Sequence, residues 1–166
     1  MDIPIWFNVE KANQMAFYLT QRNGGPVNKN RLAGLIYLVN RCHMQRYGFP
    51  VLDDDIIALR QGPVNRVTYA AVLGKPIDDP KNTSELSDAE IDTLAFVWRE
   101  FGCMGRRTLL HFARLGCPEW SPPDSGYAKI PYEAVFRAIG CSDPDVLARE
   151  IEKYREIEKL FSPKPD

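Results

Sequence analysis

Between Asn28 and Gly74 the chain reads NKNRLAGLIYLVNRCHMQRYGFPVLDDDIIALRQGPVNRVTYAAVLG, and whatever the rest does has to accommodate this stretch. Asn28 or Asn30 starts a helix whose Leu32, Leu35, Ile36, Val39, Cys42 and His43 fall on one side. Tyr37 and Leu38 widen that stripe until the helix is apolar over most of its surface. Such a helix belongs in the middle of a packed domain. Gly34 inside it costs about 1 kcal/mol relative to Ala in propensity, so a second helix is expected to cross closely there. Gly48-Phe49-Pro50 forms a turn. The short apolar run Ile56–Leu59 reads equally as a strand or as one helical turn. Gly62 supplies a permissive backbone, and Pro63 suits the first position of a helix. That helix would carry Val64, Val67, Tyr69, Ala70, Ala71 and Leu73 and close at Gly74.

Helices flank this centre. Asn8 caps one through about Leu19, with Val9, Ala12, Met15, Ala16 and Leu19 on a face and Gly24-Gly25-Pro26 ending it. Lys75–Glu85 is polar and reads as a surface loop. Ser87-Asp88-Ala89-Glu90 is a capping box, behind which Ile91, Leu94, Ala95, Val97, Trp98 and Phe101 point inward. Arg106–Leu115 is a further helix, Ser121–Lys129 a loop, and Pro131 opens a helix closed by Gly140. Ser142-Asp143-Pro144-Asp145 starts the last helix, with Ser142 as its cap, and Ser162–Asp166 reads as a frayed tail. Leu147, Ile151, Tyr154, Ile157 and Phe161 form a stripe on that helix. Glu150–Lys153, Glu152–Arg155 and Glu156–Lys159 are opposite charges three apart. Met1–Phe7 is an apolar arm expected to pack on the domain. The expected fold is mainly α: one domain over residues 1–166, seven to eight helices, and a short strand or hairpin near 51–61 as an open alternative. The helix at 143–161 would pack on the body of that domain.

Composition narrows the function classes. The 21 basic and 22 acidic residues leave a formal net charge of −1, which argues against nonspecific nucleic-acid binding. The longest apolar run, Leu35–Val39, is far too short to cross a bilayer. Four cysteines at 42, 103, 117 and 141 form no C-x-x-C pair. With no secretory leader in Met1–Phe7, the expectation is a cytoplasmic protein with reduced thiols.

The residues that suggest chemistry each have a plainer reading. Cys42 and His43, as helix neighbours, point about 100° apart and rarely share a metal ion, so His43 reads as a core residue. Asp53-Asp54-Asp55 lacks the EF-hand spacing and its closing Glu, and reads as a loop capping a helix N-terminus. His111 and Cys117 have no evident orienting acid for catalysis. His111 reads instead as a hydrogen-bonded structural residue near Trp120. Arg106, Arg107 and Arg114 form a small basic cluster, either a solvated face or a site for an acidic segment or phosphate. No catalytic residue, metal site or cofactor is expected.

Taken together, Leu32, Leu35, Ile36 and Tyr37, then Gly48 and Pro50, then Ala58, Gly62, Pro63, Val64 and Tyr69 resemble the Panacea domain of SocA-like and GepA-like phage-associated antitoxins. His111 followed by Pro118 and Trp120 is similar to the family's second signature. Leu59 stands where the family often has an aromatic residue, Gly34 where it usually has a polar one, and Leu110 where Thr is frequent. The resemblance spans roughly Val9–Ile139. It implies a non-enzymatic antitoxin that neutralises a cognate protein toxin, encoded by a neighbouring bacterial or phage gene, by direct binding. The alternatives are a DNA-binding transcriptional regulator or an adaptor that delivers a partner to a protease. A homodimer stays open. The polar positions around the Gly-Pro-Val turn are the expected contact: Arg60, Gln61, Gly62, Pro63, Val64, Asn65, Arg66 and Tyr69.

Overall fold

A computed structural model describes residues 2–80 and 85–162. The expected loop Lys75–Glu85 and the expected tail Ser162–Asp166 each lie partly outside these residues. The described elements are α1 (Val9–Asn23), α2 (Lys29–Tyr47), β1 (Ile56–Leu59), β2 (Gly62–Asn65), a π-helical turn (Thr68–Val72), α3 (Asp88–Phe101), α4 (Arg106–Gly116), β3 (Ala128–Ile130), α5 (Tyr132–Ala138) and α6 (Pro144–Phe161). The protein is mainly helical, with one small antiparallel sheet in the order β2-β1-β3.

Local chemistry sets most helix ends. The Asn8 side chain accepts from the Lys11 amide, and Asn28 accepts from the amides of Asn30 and Arg31. Gly24 and Gly48 end α1 and α2 at φ +75° and +81°, a conformation that favours glycine. Both halves of the Ser87–Glu90 capping box are formed. The cap of α6 differs from expectation. It is Asp143 that stands at the cap before Pro144, and among the described residues no side chain, Ser142 included, makes a capping hydrogen bond there.

α2 runs between two apolar cores, which explains its all-round hydrophobicity. Leu32, Leu35, Ile36 and Val39 join Met15, Leu19, Leu94, Val97 and Leu109 in the first. Tyr37 and Met44 join Cys117, Ile130, Phe136 and Ile151 in the second. β1 divides the same way: Ile57 faces the first core, and Ile56 and Ala58 face the second. A strand buried on both faces shows no polar alternation, so Ile56–Leu59 could not be told from a helical turn by its pattern. The expected close crossing at Gly34 is present. A Cβ there would lie 3.2 Å from Leu109 Cδ2 of α4.

One expectation fails at the centre. Gly62–Asn65 is a strand, not the start of a helix, and it pairs with β1 in the register Ala58↔Pro63 and Leu59↔Gly62. Pro63 is accommodated because β2 is an edge strand, where a missing N–H is tolerated. Helical structure begins only after β2 and passes into the π-helical turn, closed by the Leu73 amide on the Thr68 carbonyl. Ala128 and Lys129 of β3 fall in the stretch expected as a loop. Only Ile130 of its three residues is buried, so no alternation marks it.

Candidate partner-binding site

The two-residue tip Arg60-Gln61 joins β1 to β2, and Gly62 follows at φ +142°. Two groups from the α4 region clamp this end. Trp120 Nε1 donates to the Leu59 carbonyl at 2.8 Å, and Arg114 Nη2 donates to the Arg60 carbonyl at 2.8 Å. The Arg114 guanidinium also lies 5.6 Å from the Trp120 ring centre. The link carrying Trp120 is itself anchored on α2. The Glu119 side chain, with no exposure, accepts from Arg41 Nε at 2.6 Å and Tyr37 Oη at 2.7 Å. Burial, and then the charge of Glu119, push the Cys117 thiol up to about 12, so it remains an unreactive thiol.

Asp54 organises the other end of the hairpin. Its buried carboxylate accepts from the Val67 and Thr68 amides, each at 2.9 Å, and from the Thr68 hydroxyl at 2.8 Å. The aspartate run therefore caps a helical start, thirteen residues further on. Burial lifts Asp54 to about 6 against the lowering effect of these three bonds. Asp53 and Asp55 do something else: both pair with Arg155 of α6, at 2.7 and 2.9 Å. Arg155 is thus taken from the expected Glu152 pair, whereas Glu150–Lys153 and Glu156–Lys159 form as expected. Trp6 lies over the same guanidinium at 4.8 Å, which packs the N-terminal arm on α6.

The eight expected contact residues divide into two kinds. Gly62, Pro63, Val64 and Asn65 are buried. Asn65 Oδ1 accepts from Asn40 Nδ2 at 3.2 Å, inside the fold. Arg60 is exposed, while Gln61, Arg66 and Tyr69 are partly so. Arg66 lies 5.4 Å from the ring centre of the exposed Tyr127. Tyr69 donates to Asn30 Oδ1 at 3.0 Å, with Lys29 Nζ 4.1 Å from its ring centre. Arg60 and Gln61 occupy one end of β2 and Arg66 the other, about 13 Å apart for four extended residues. Sequence reasoning missed Lys29, Tyr127 and Glu119, none of which belongs to a periodic pattern or a spaced motif.

The remaining chemical candidates take structural places. His43 is buried, and its Nδ1 is 2.9 Å from the Thr93 hydroxyl. Burial lowers its pKa below the usual imidazole value. His111 contradicts the reading of a hydrogen-bonded residue near Trp120. It is exposed on α4, and the Trp120 indole is used by Leu59 instead. Among the described residues, no group of three or more His, Cys, Asp or Glu side chains is placed to hold a metal ion. Among them, too, no helix is long and apolar enough to cross a membrane.

Comparison with curated proteins and with solved structures finds no match. The family model described as "Antitoxin SocA-like, Panacea domain" matches residues 32–121, more than half of the 166-residue chain. That span begins in α2, includes the whole β-hairpin with its clamp, and ends just past Trp120. The chain belongs to the SocA-like antitoxin family and carries its Panacea domain.

Proposed function

We propose that this protein neutralises a cognate protein toxin by binding it directly, with the toxin encoded by a neighbouring gene and both acting in the cytoplasm. Membership in the antitoxin family carries the proposal. The geometry around the hairpin supports the way it would work. Gly62, Pro63, Val64 and Asn65 form a buried frame, and Arg60, Gln61, Arg66 and Tyr69 are the members of the motif that a partner reaches. Clamping by Trp120, Arg114 and Asp54 holds this frame before the partner arrives, which reduces the ordering cost of association. Arg and Tyr are residue types that anchor interfaces.

The test is co-purification of the neighbour-encoded protein with this chain and with a variant carrying both Arg66→Ala and Tyr69→Ala. The variant should melt cooperatively and lose both the bound partner and its protective effect. A double variant that still neutralises fully would refute the placement of the contact. A wild-type chain that never captures the neighbour-encoded protein would refute direct binding.

A further inference from the structure

The outer face of α4 presents a second feature, which shares only Arg114 with the hairpin clamp. Its buried line is Leu109 and Ala113, packed toward α2 and β2. The opposite side carries Arg107, His111 and Arg114 at steps of four and three, a single rail along the helix. Beside that rail sits Leu115, 74% exposed, whereas Phe112 lies further round the helix with its ring centre 4.9 Å from that of Phe101. No acidic residue occurs between Arg106 and Gly116. Among the described residues, Arg106, Arg107 and Arg114 make no ion pair, although seven of the chain's other cations do. Arg114 donates to the Arg60 carbonyl and lies over the Trp120 ring, which joins the rail to the hairpin tip.

We infer that the outer face of α4 docks an acidic segment of the toxin that also carries an apolar side chain. The inference rests on the proposed toxin-binding role and adds the chemistry of the partner. Arg107 and Arg114 are seven residues apart, about 10 Å along the axis. Two carboxylates seven apart on a helix, or three apart on an extended strand, match that spacing. Guanidinium groups take carboxylates through paired hydrogen bonds, and desolvation beside Leu115 strengthens such bonds. The same exposed Leu115 favours a protein over a nucleic acid, whose phosphates have no use for it. The chain's net charge of −1 likewise supplies no long-range attraction to a polyanion.

The test is a titration of the purified neighbour-encoded protein onto wild-type chain and onto a variant with Arg107→Glu and His111→Glu. Neither residue makes a hydrogen bond or ion pair among the described residues, so the fold is preserved, which circular dichroism checks. The expected result is roughly tenfold or greater weakening in the variant, because like charges then face each other. Wild-type affinity should also fall as salt rises from about 50 to about 500 mM. Unchanged, salt-independent affinity in the variant would overturn the α4 inference while leaving the antitoxin role standing. No binding to wild-type chain would overturn both, since the segment named belongs to that partner. Labelled duplex DNA or RNA that binds the wild type at physiological salt, but not the variant, would overturn the choice of a protein.

Discussion

Replacing Gly62 with alanine isolates the one place where the hairpin depends on backbone freedom. Gly62 holds φ +142°, a conformation that side-chain-bearing residues rarely adopt. Space is not the obstacle. A Cβ there would meet Leu110 Cδ2 at 3.8 Å and Ala113 Cβ at 4.0 Å, which is ordinary contact. The cost is therefore backbone strain, about 1–3 kcal/mol. For a chain of this size each kcal/mol shifts the melting temperature by about 2–4 °C. Urea denaturation followed by far-UV circular dichroism should show a lower midpoint for Gly62→Ala at an unchanged slope. Gly25→Ala is the control. Gly25 has open space around its Cβ position and no left-handed φ, so its midpoint should move by no more than about 0.5 kcal/mol equivalent. Equal midpoints for Gly62→Ala and wild type would refute the view that Gly62 is required by its backbone conformation.

Two further perturbations probe the groups that brace the hairpin. Glu119→Ala strips Arg41 and Tyr37 of their shared buried acceptor and should destabilise the protein by about 3–5 kcal/mol; a denaturation midpoint like wild type's would refute the anchoring role. Asp54 should leave a signature in pH. Its folded pKa of about 6 lies above the free value of 3.8, so between these values the folded state binds the extra proton. Stability from this group rises as pH falls from above 6 toward 4 and is lost again as pH climbs back through 6; Asp54→Asn should remove that component, and an Asp54 carboxyl resonance titrating near about 4 would refute it. Buried His43 acts in the opposite direction: its lowered pKa means stability is lost as pH drops below the free imidazole value, so the two titrations should be separated by variants.

The helices were legible in the sequence because their ends and faces carry local signals. Asn8, Ser87 and Gly24 act through contacts within a turn of chain. Of the sheet only β1 was legible, as the open alternative of a strand near 51–61, and the reasons differ strand by strand. β1 is buried on both faces and shows no alternation, while β3 exposes Ala128 and Lys129 and so resembles a loop. β2 misled because Pro63 fits the start of a helix as readily as an edge strand, and only its pairing with Ala58 separates the two. Long-range electrostatics were equally hidden. Arg155 has an acid three residues before it, yet it binds Asp53 and Asp55, some hundred residues away, because partial burial there repays a guanidinium better than a solvated helix surface. The motif around Gly62-Pro63-Val64 was visible as a motif. That its middle is frame and its flanks are surface depends on how α2 and α4 cover β2, which no local pattern records.

The most direct test of the antitoxin role is growth. The neighbouring gene is expressed alone, this chain alone, and the two together, from separately inducible promoters. The proposed function predicts arrest with the neighbour alone and recovery with both. Recovery should be lost when this chain carries Arg66→Ala with Tyr69→Ala, at equal protein level. A neighbour that is harmless alone, or an arrest that persists at full expression of the wild-type chain, would contradict it.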